Sequence, residues 1–567
     1  MKKLLALLLA VIMVLGLVAC VQEQKPTDPP KQTTAGNNDN PTDGTTAGSE
    51  DDGAYFPLKE QETLTVAINS AEGFDNLNKA LEANALWQDI LEKTNVKIEF
   101  VGWTPETIQA MFANDEMGDI VICGGSGQDN LFNNLAGQGV IKVLDEYVDN
   151  PEIVPTITAT MWAECPEARG TFTAADGNLY VMGTYNMDRN AYVEGYIWVY
   201  KPWLEASGVK AITDLESMEK YLDYIAKNDC NGNNQDDEIP LFFGQKVNNG
   251  IESFLGLYGL PTKDGTFENY VTLEDGTDNV LFIPQLDAWK DFIKLFNKWW
   301  EAGYLYDQMF TADYNESYTA WRAEYTDVQK IGMIYANANN ALKLVDAANW
   351  ICIEPFPLSE APVRWYIHPG YMGSKTCWCV PEASEKAELA VRFMDLFYDQ
   401  EVVVRKLHGE PDSPWRTTFE DGTFYTQAVG NDLADKIKYT DNNSLEQLIN
   451  QWPEPCGNGY YEKRIWTTEE EAVRVNYGTY EQYLNKTVWP RPYTKAEDQT
   501  RLGELRTDIF NLVNEKRAAW ITGRSDIDAE WDDFQADLEA AGIEEFVEIM
   551  QGAYDVWYEG YAGVKGE

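Results

Sequence analysis

Leu64-Thr65-Val66-Ala67-Ile68 opens the stretch that decides the fold, which runs on to Ile122. In it Leu64, Val66 and Ile68 alternate with small or polar residues, the two-residue period of a strand with one face buried. Helical spacing follows over about 77–93, then a second alternation at Val96, Ile98 and Phe100. Pro105 suits the first turn of a helix, and Ile120-Val121-Ile122 is a short apolar run of the kind a buried strand makes. Strand, helix, strand, helix, strand in this order predicts a parallel α/β sheet. Ligands of such sheets bind beyond the carboxyl ends of the strands. Those ends are Asn69-Ser70-Ala71-Glu72, Gly102-Trp103 and Cys123-Gly124-Gly125-Ser126.

The chain of 567 residues is long enough for two to four domains or lobes with a cleft between them. With 44 Lys and Arg against 93 Asp and Glu, its formal charge is -49, and no basic patch interrupts the acid excess. Nucleic acid and anionic lipid would repel such a surface, so neither is expected as a partner. Apolar residues at 44%, with 19 Trp, 31 Tyr and 22 Phe, exclude a disordered acidic chain. Only two histidines occur, His368 and His408, which excludes a His-rich zinc centre.

Met1-Lys2-Lys3 precedes an uncharged run from Leu4 to Ala19 that is too short to span a bilayer and reads as an export signal, residues 1–19. Its end, Leu17-Val18-Ala19-Cys20, resembles the bacterial lipobox, in which Cys20 becomes the lipidated first residue of the mature chain. An ordinary secretory cleavage near Ala19 is the alternative. Residues 20–54 are dominated by Pro, Thr, Asn, Gly and acidic or amide residues, so they read as a disordered, lipid-anchored linker. The expected location is the extracytoplasmic face of the cell membrane, held there by lipid alone. Seven cysteines remain beyond Cys20, an odd number scattered over a large chain, so free buried thiols are expected rather than a disulfide framework. In Cys377-Trp378-Cys379 a strand would point both thiols to one face, with no further ligand to complete a metal set.

Farther on, Thr213 and Glu216 have capping-box spacing before an apolar helix face of Leu215, Met218, Leu222 and Ile225. Ala387, Ala390, Val391, Met394 and Phe397 mark another helix, and the C-terminal third is rich in helical patterns and aromatic residues.

Leu86 to Val96, Met117-Gly118-Asp119-Ile120-Val121, Ala175 to Tyr180, Ile197 to Leu204, and Ile331-Gly332-Met333-Ile334 follow one another along the chain. In this order they resemble the extracellular solute-binding proteins of ABC importers, in the oligosaccharide-binding group of family 1. The resemblance implies an α/β, two-lobed periplasmic-binding-protein-like fold of type II, with the ligand cleft between the lobes and a helix-rich C-terminal part. It places residues 60–185 and 366–405 in lobe 1, and 186–365 and 406–567 in lobe 2. It also implies a monomeric receptor that closes on a small-molecule ligand and delivers it to the permease subunits of an importer.

Asp229-Cys230-Asn231-Gly232-Asn233-Asn234-Gln235-Asp236-Asp237-Glu238 repeats the ligand spacing of a calcium loop. Oxygen side chains stand at positions 1, 3, 5 and 9 (Asp229, Asn231, Asn233, Asp237), with the Gln235 carbonyl at 7. Position 6 is Asn234 instead of Gly, and the Glu that closes the set is Glu238 at position 10, a variant that resembles the alginate-type oligosaccharide receptors. A structural Ca2+ ion is the expected cofactor; an Asn/Gly/Asp-rich turn that binds nothing is the alternative.

The acid excess disfavours polyanionic ligands, and the aromatic richness favours neutral sugars, whose apolar faces stack on Trp and Tyr. The family comparison puts Trp103, Tyr185, Tyr192, Trp321, Tyr371 and Trp415 on cleft-facing loops, with Asn69, Glu72, Asp188, Asn337, Asn339 and Arg416 as polar partners. Tyr371 stands out because Gly370 and Gly373 flank it and let the backbone approach a ligand. A peptide receptor on the same scaffold and an exported glycoside hydrolase are the competing readings. The hydrolase needs two carboxylates about 5–9.5 Å apart, which no local motif nominates. There is also no P-loop lysine, no G-x-S-x-G elbow and no H-E-x-x-H helix. Binding without catalysis is therefore expected.

Overall fold

A computed structural model describes residues 55–565 apart from 71–73, 125–127, 188–192, 194, 244–249, 263–269, 312–321, 324, 342, 368–376, 412–415, 427–451, 454, 467–477 and 486–488. The expected signal peptide, Cys20 and linker lie outside the described residues. The opening strands form as the alternation requires. β1 (Glu62–Asn69) lies between β2 (Val96–Trp103) and β3 (Ile120–Ile122) and is parallel to both. Its full length pairs with β2, Glu62 opposite Val96 through Asn69 opposite Trp103. Two later pieces extend the sheet antiparallel: β11 (Trp378–Cys379) pairs with β3, and β4 (Val181–Met182) with β11. Leu64, Val66, Ile68, Ile120 and Ile122 face one core, and Ala67, Val121 and Cys123 face another. Both faces are covered, as sheets built from helical crossovers require.

Local capping differs from the sequence expectation at three points. The helix expected over 77–93 is two helices, Asp75–Ala83 and Ala85–Thr94. Asn84 between them is extended, and its side chain accepts from the Trp87 amide at 3.2 Å, ending one helix by capping the next. Pro105 lies in a turn, and the helix that follows it covers Ile108–Ala113. Ahead of Leu215–Ala226 the cap is Asp214, not Thr213. The Asp214 carboxylate accepts from the Ser217 amide at 2.8 Å, and the Ser217 hydroxyl accepts from the Asp214 amide at 3.2 Å. A charged oxygen at a helix N-terminus makes the stronger cap.

The second sheet has the order β10 (Trp350–Cys352), β5 (Tyr196–Tyr200), β9 (Ile331–Ala336), β6 (Ile239–Phe242), with β6 and β9 parallel and the other pairs antiparallel. Against its core the helix Asp287–Glu301 turns Trp289, Phe292, Ile293, Phe296 and Trp299, an apolar stripe at three- and four-residue spacing. Three C-terminal helices, Gln499–Ile521, Ile527–Ala540 and Ile543–Lys565, complete this core. The last of them reaches both sheets' bodies. Phe546 and Met550 pack in the second core, while Trp557 Nε1 donates to Thr171 Oγ1 at 3.2 Å beside the first. There the helix crosses Glu167–Phe172 so closely that a Cβ on Gly170 would stand 2.5 Å from the Trp557 carbonyl oxygen.

Residues 406–567 were expected with lobe 2, but among the described residues between Lys406 and Lys463 several contact the first body. Cys456 donates its amide to the Tyr185 carbonyl at 3.0 Å, and the Gly457 amide donates to Gln400 Oε1 at 2.6 Å. The Lys406 ammonium is buried between the carbonyls of Trp452 and Pro453, and the Trp452 ring meets Trp87 edge-on at 4.6 Å. The physical reason is Trp452, which closes the outer wall of the first core. All seven cysteines beyond Cys20 are free thiols, five of them buried. Cys377 and Cys379 do not share a face: Cys377 joins the core of Trp378, and Cys379 turns to the other core, its sulfur 4.0 Å from that of Cys123. Among the described residues no helix is long and apolar enough to cross a membrane.

Candidate ligand cleft and metal loop

Two strand ends carry described candidates for ligand contact. Asn69 closes β1, half-buried, next to Gly124, whose φ of +80° is natural only for glycine. Asn337 follows β9; its Oδ1 accepts from the Asn340 amide at 2.9 Å and caps the turn Ala338–Ala341, which carries Asn339. Glu72, Asp188, Tyr192, Trp321, Tyr371 and Trp415 lie outside the described residues.

Three other candidates are structural. Trp103 is fully buried: its indole N–H donates to the Ile122 carbonyl at 3.2 Å and its ring meets Phe132 edge-on. Strand alternation turns it, the last residue of β2, onto the face covered by the helix Asp129–Gly137. Tyr185 is equally buried, and its hydroxyl donates to Glu164 Oε2 at 3.0 Å. Burial first, and the Glu164 charge second, push that hydroxyl far above its ordinary range. Arg416, in β12 (Arg416–Thr418), pairs with Glu401 at 3.2 Å and lies over the Phe424 ring. It joins this small strand to the helix Gln400–His408 instead of facing a ligand.

Hydrogen bonds within the 229–238 loop tie its expected ligand residues to one another. Asp229 Oδ1 accepts from the amides of Gly232 (2.7 Å) and Asn233 (3.1 Å), and Oδ2 accepts from Asn234 (2.8 Å). Asn234 has φ +58°, so the sixth position takes the left-handed turn that Gly gives in an EF-hand, and Asn tolerates that conformation. The side-chain oxygens of Asn231 and Asn233 each accept an amide two residues on, and both side-chain amide nitrogens point at Asp237, at 3.0 and 3.1 Å. Glu238 Oε1 accepts from the Asn231 amide at 3.1 Å. Burial works to raise the Asp237 carboxyl, but hydrogen bonds from Asn231, Lys330 and Asn233 outweigh it and hold the group below its ordinary value.

The donor set fits a hard cation. It is all oxygen: the carboxylates of Asp229, Asp237 and Glu238, the side-chain amide oxygens of Asn231 and Asn233, and the Gln235 carbonyl. Carboxylates alone do not suffice: among the described residues no three His, Cys, Asp or Glu side chains converge as a metal cluster. Amide and backbone oxygens are therefore part of any site here. The sequence reading missed Lys330, whose Nζ lies 3.0 Å from Asp237 Oδ2. It is far away in sequence and arrives only because the Ile239 amide donates to the Lys330 carbonyl at 2.7 Å, where β6 and β9 begin. Asn337, at the other end of β9, is roughly 20 Å away at about 3.3 Å per strand residue. The loop thus ties the strand ends opposite those that carry ligand candidates.

Two sheets, each with its own core, joined by crossovers and a shared C-terminal helix, match solved structures along nearly the whole folded body. The chain has the fold of the solute-binding proteins. The HMO-binding, ABC-transporter-associated solute-binding protein of Bifidobacterium longum infantis superposes with a TM-score of 0.69 at 17% identity, covering 88% of this chain and 99% of that one. An EF-hand mutant of the Streptococcus pneumoniae substrate-binding protein FusA, in complex with fructo-nystose, gives 0.62 at 19% identity, with 88% and 99% covered. By sequence, the fructooligosaccharide ABC transporter substrate-binding protein FusA of Streptococcus pneumoniae is 25% identical over 536 residues, 90% of this chain and 94% of that protein. No protein-family model matches the chain.

Proposed function

We propose that this solute-binding fold serves an ABC importer as its receptor, capturing a neutral oligosaccharide between its lobes and delivering it to the membrane permease. The observation that carries the reading is similarity to a fructooligosaccharide receptor over 90% of the chain, in a fold whose solved relatives are solute-binding proteins. It favours binding over hydrolysis, and sugar over peptide. The formal charge of -49 points the same way, toward neutral and away from acidic glycans.

The lobes divide, in this proposal, into 60–185 with 366–466, and 186–365 with 478–567. Ligand touching both would stabilise the closed state by its differential affinity. Asn69 and Asn337 offer polar contacts at the strand ends; Tyr371, Tyr192, Trp321, Trp415, Glu72, Asp188 and Asn339 are proposed to complete the site. Lipidation at Cys20 would anchor a monomeric receptor outside the cell through the 20–54 linker. Calcium in the 229–238 loop would have a structural part, fixing the start of β6 against β9.

A thermal-shift and calorimetric screen of the chain without its apolar leader tests this reading, using neutral fructooligosaccharides, other neutral glycans, peptides and alginate oligomers. Saturable stabilisation by a neutral glycan that is recovered intact supports it. Turnover of the glycan, or stabilisation by peptides alone, overturns it.

A further inference from the structure

Lys330 occupies a place that matters to the 229–238 loop. Its ammonium touches Asp237 Oδ2 at 3.0 Å, the same carboxylate that Asn231 and Asn233 contact and that stands at the ninth ligand position. The pair is partly sheltered, the side chains being 34% and 20% exposed. Its backbone is held apart from the loop: it directly precedes β9, and its carbonyl accepts from the Ile239 amide. A positive charge is therefore anchored by its backbone beside one of the oxygen ligands.

A divalent cation entering the loop meets that charge in two ways. It must share or take over the Asp237 carboxylate from the ammonium, and it is repelled by the ammonium at close range. In a calcium loop the number of charges around the ligands sets affinity over many decades. We propose that Lys330 is an internal competitor that holds this loop's calcium affinity down, in the weak range of extracellular modules, about 10⁻⁴–10⁻³ M. Together with Asn231 and Asn233, it also holds Asp237 in place within the loop. The inference rests on the reading of this loop as a calcium site. Its consequence is a structural element responsive to millimolar calcium, not one permanently loaded at trace levels.

The test is calcium titration of the purified chain, by calorimetry and by competition with a chromophoric chelator, for the wild type, Lys330→Gln and the control Lys97→Gln. Lys97 pairs with Glu99 on the first sheet, so its loss changes net charge equally without touching the loop. Lys330→Gln is expected to bind calcium about three- to tenfold more tightly, after allowance for solvent screening of a partly sheltered pair. It is also expected to melt lower than wild type without calcium and to gain more from saturating calcium, because stabilisation grows with [Ca2+]/Kd. Equal or weaker affinity in Lys330→Gln overturns the inference, as does an equal gain in Lys97→Gln, which would trace the effect to overall charge. A wild-type chain that binds no calcium at millimolar concentration fails the loop reading itself, a distinct result.

Discussion

Glu252, Arg517 and Tyr270 form an ion pair with a hydroxyl inside the second core, with Glu252 fully buried and Arg517 3% exposed. Tyr270 donates to Glu252 Oε1 at 3.0 Å and accepts from Arg517 Nη1 at 3.1 Å. The trio joins the turn Gly250–Tyr258 to the long helix Gln499–Ile521, two segments about 250 residues apart in sequence. Burial works against the Arg517 charge, yet Glu252 and Tyr270 outweigh it and hold the guanidinium more firmly protonated than usual. Glu252→Ala removes that compensation and leaves a cation in an aromatic core, at a cost of about 3–5 kcal/mol. At about 1.4 kcal/mol per factor of ten, 4 kcal/mol shifts the folding equilibrium by roughly a thousandfold. Replacing both partners, Glu252→Leu with Arg517→Met, removes the desolvation burden with the attraction, so the double variant should stand within about 2 kcal/mol of wild type. Guanidinium unfolding followed by tryptophan fluorescence reads this region, since Trp289 lies 6.4 Å from the Tyr270 ring and 6.0 Å from Trp520. A single variant costing under about 1 kcal/mol, or a double variant costing the sum of the singles, would refute the reasoning.

Gly457→Ala should destabilise by about 1–3 kcal/mol and loosen the contact of Gly457 with the helix Gln400–His408, since a Cβ there would stand 2.3 Å from the Tyr185 hydroxyl and 2.6 Å from Glu164 Oε2, and the Gly457 amide donates to Gln400. Hydrogen exchange of the helix Gln400–His408 checks it, and unchanged protection would count against that docking. Gly170→Ala pushes the last helix away at the Trp557 carbonyl; because that helix holds both cores, a lower melting temperature with weaker ligand affinity is expected, and wild-type values for both would contradict it. Asp395 accepts the amides of Ile157 (2.7 Å) and Thr156 (3.1 Å), and burial, against those bonds, raises its carboxyl above the ordinary value. The folded chain then holds the proton more tightly than the unfolded one, so this group's contribution falls as pH rises through the window just above the usual Asp value. Asp395→Asn should flatten that slope and cost about 1–3 kcal/mol, having one oxygen for two donors. An unchanged slope of stability between pH 3 and 7 would sink the assignment.

Period and capping chemistry made the first sheet legible: Leu64, Val66 and Ile68 fall on one face because strand geometry leaves no other option. The calcium-type loop was legible because its donors are local in sequence. Asn84 was harder to read, since its capping bond competes with a helical pattern that runs across it. Lys330 could not be read at all, for only the pairing of β6 with β9 brings it to Asp237. Trp103 shows the opposite limit. A strand end near a cleft suggested a stacking ring, but pleat direction decides whether such a ring meets ligand or core, and here Phe132 covers it. Trp452 followed the same rule, its place being set by its ring's contact with Trp87 and Phe397 rather than by its position in the chain.

Isothermal calorimetry of the leader-free chain against a graded series of neutral fructooligosaccharides, with millimolar calcium present, is the most direct measurement of the proposed role. One-to-one, saturable binding of intact oligosaccharide, with monosaccharides and alginate oligomers failing to compete, is the expected result. No heat and no thermal stabilisation with any neutral glycan, or tight binding of an acidic polymer instead, would contradict it.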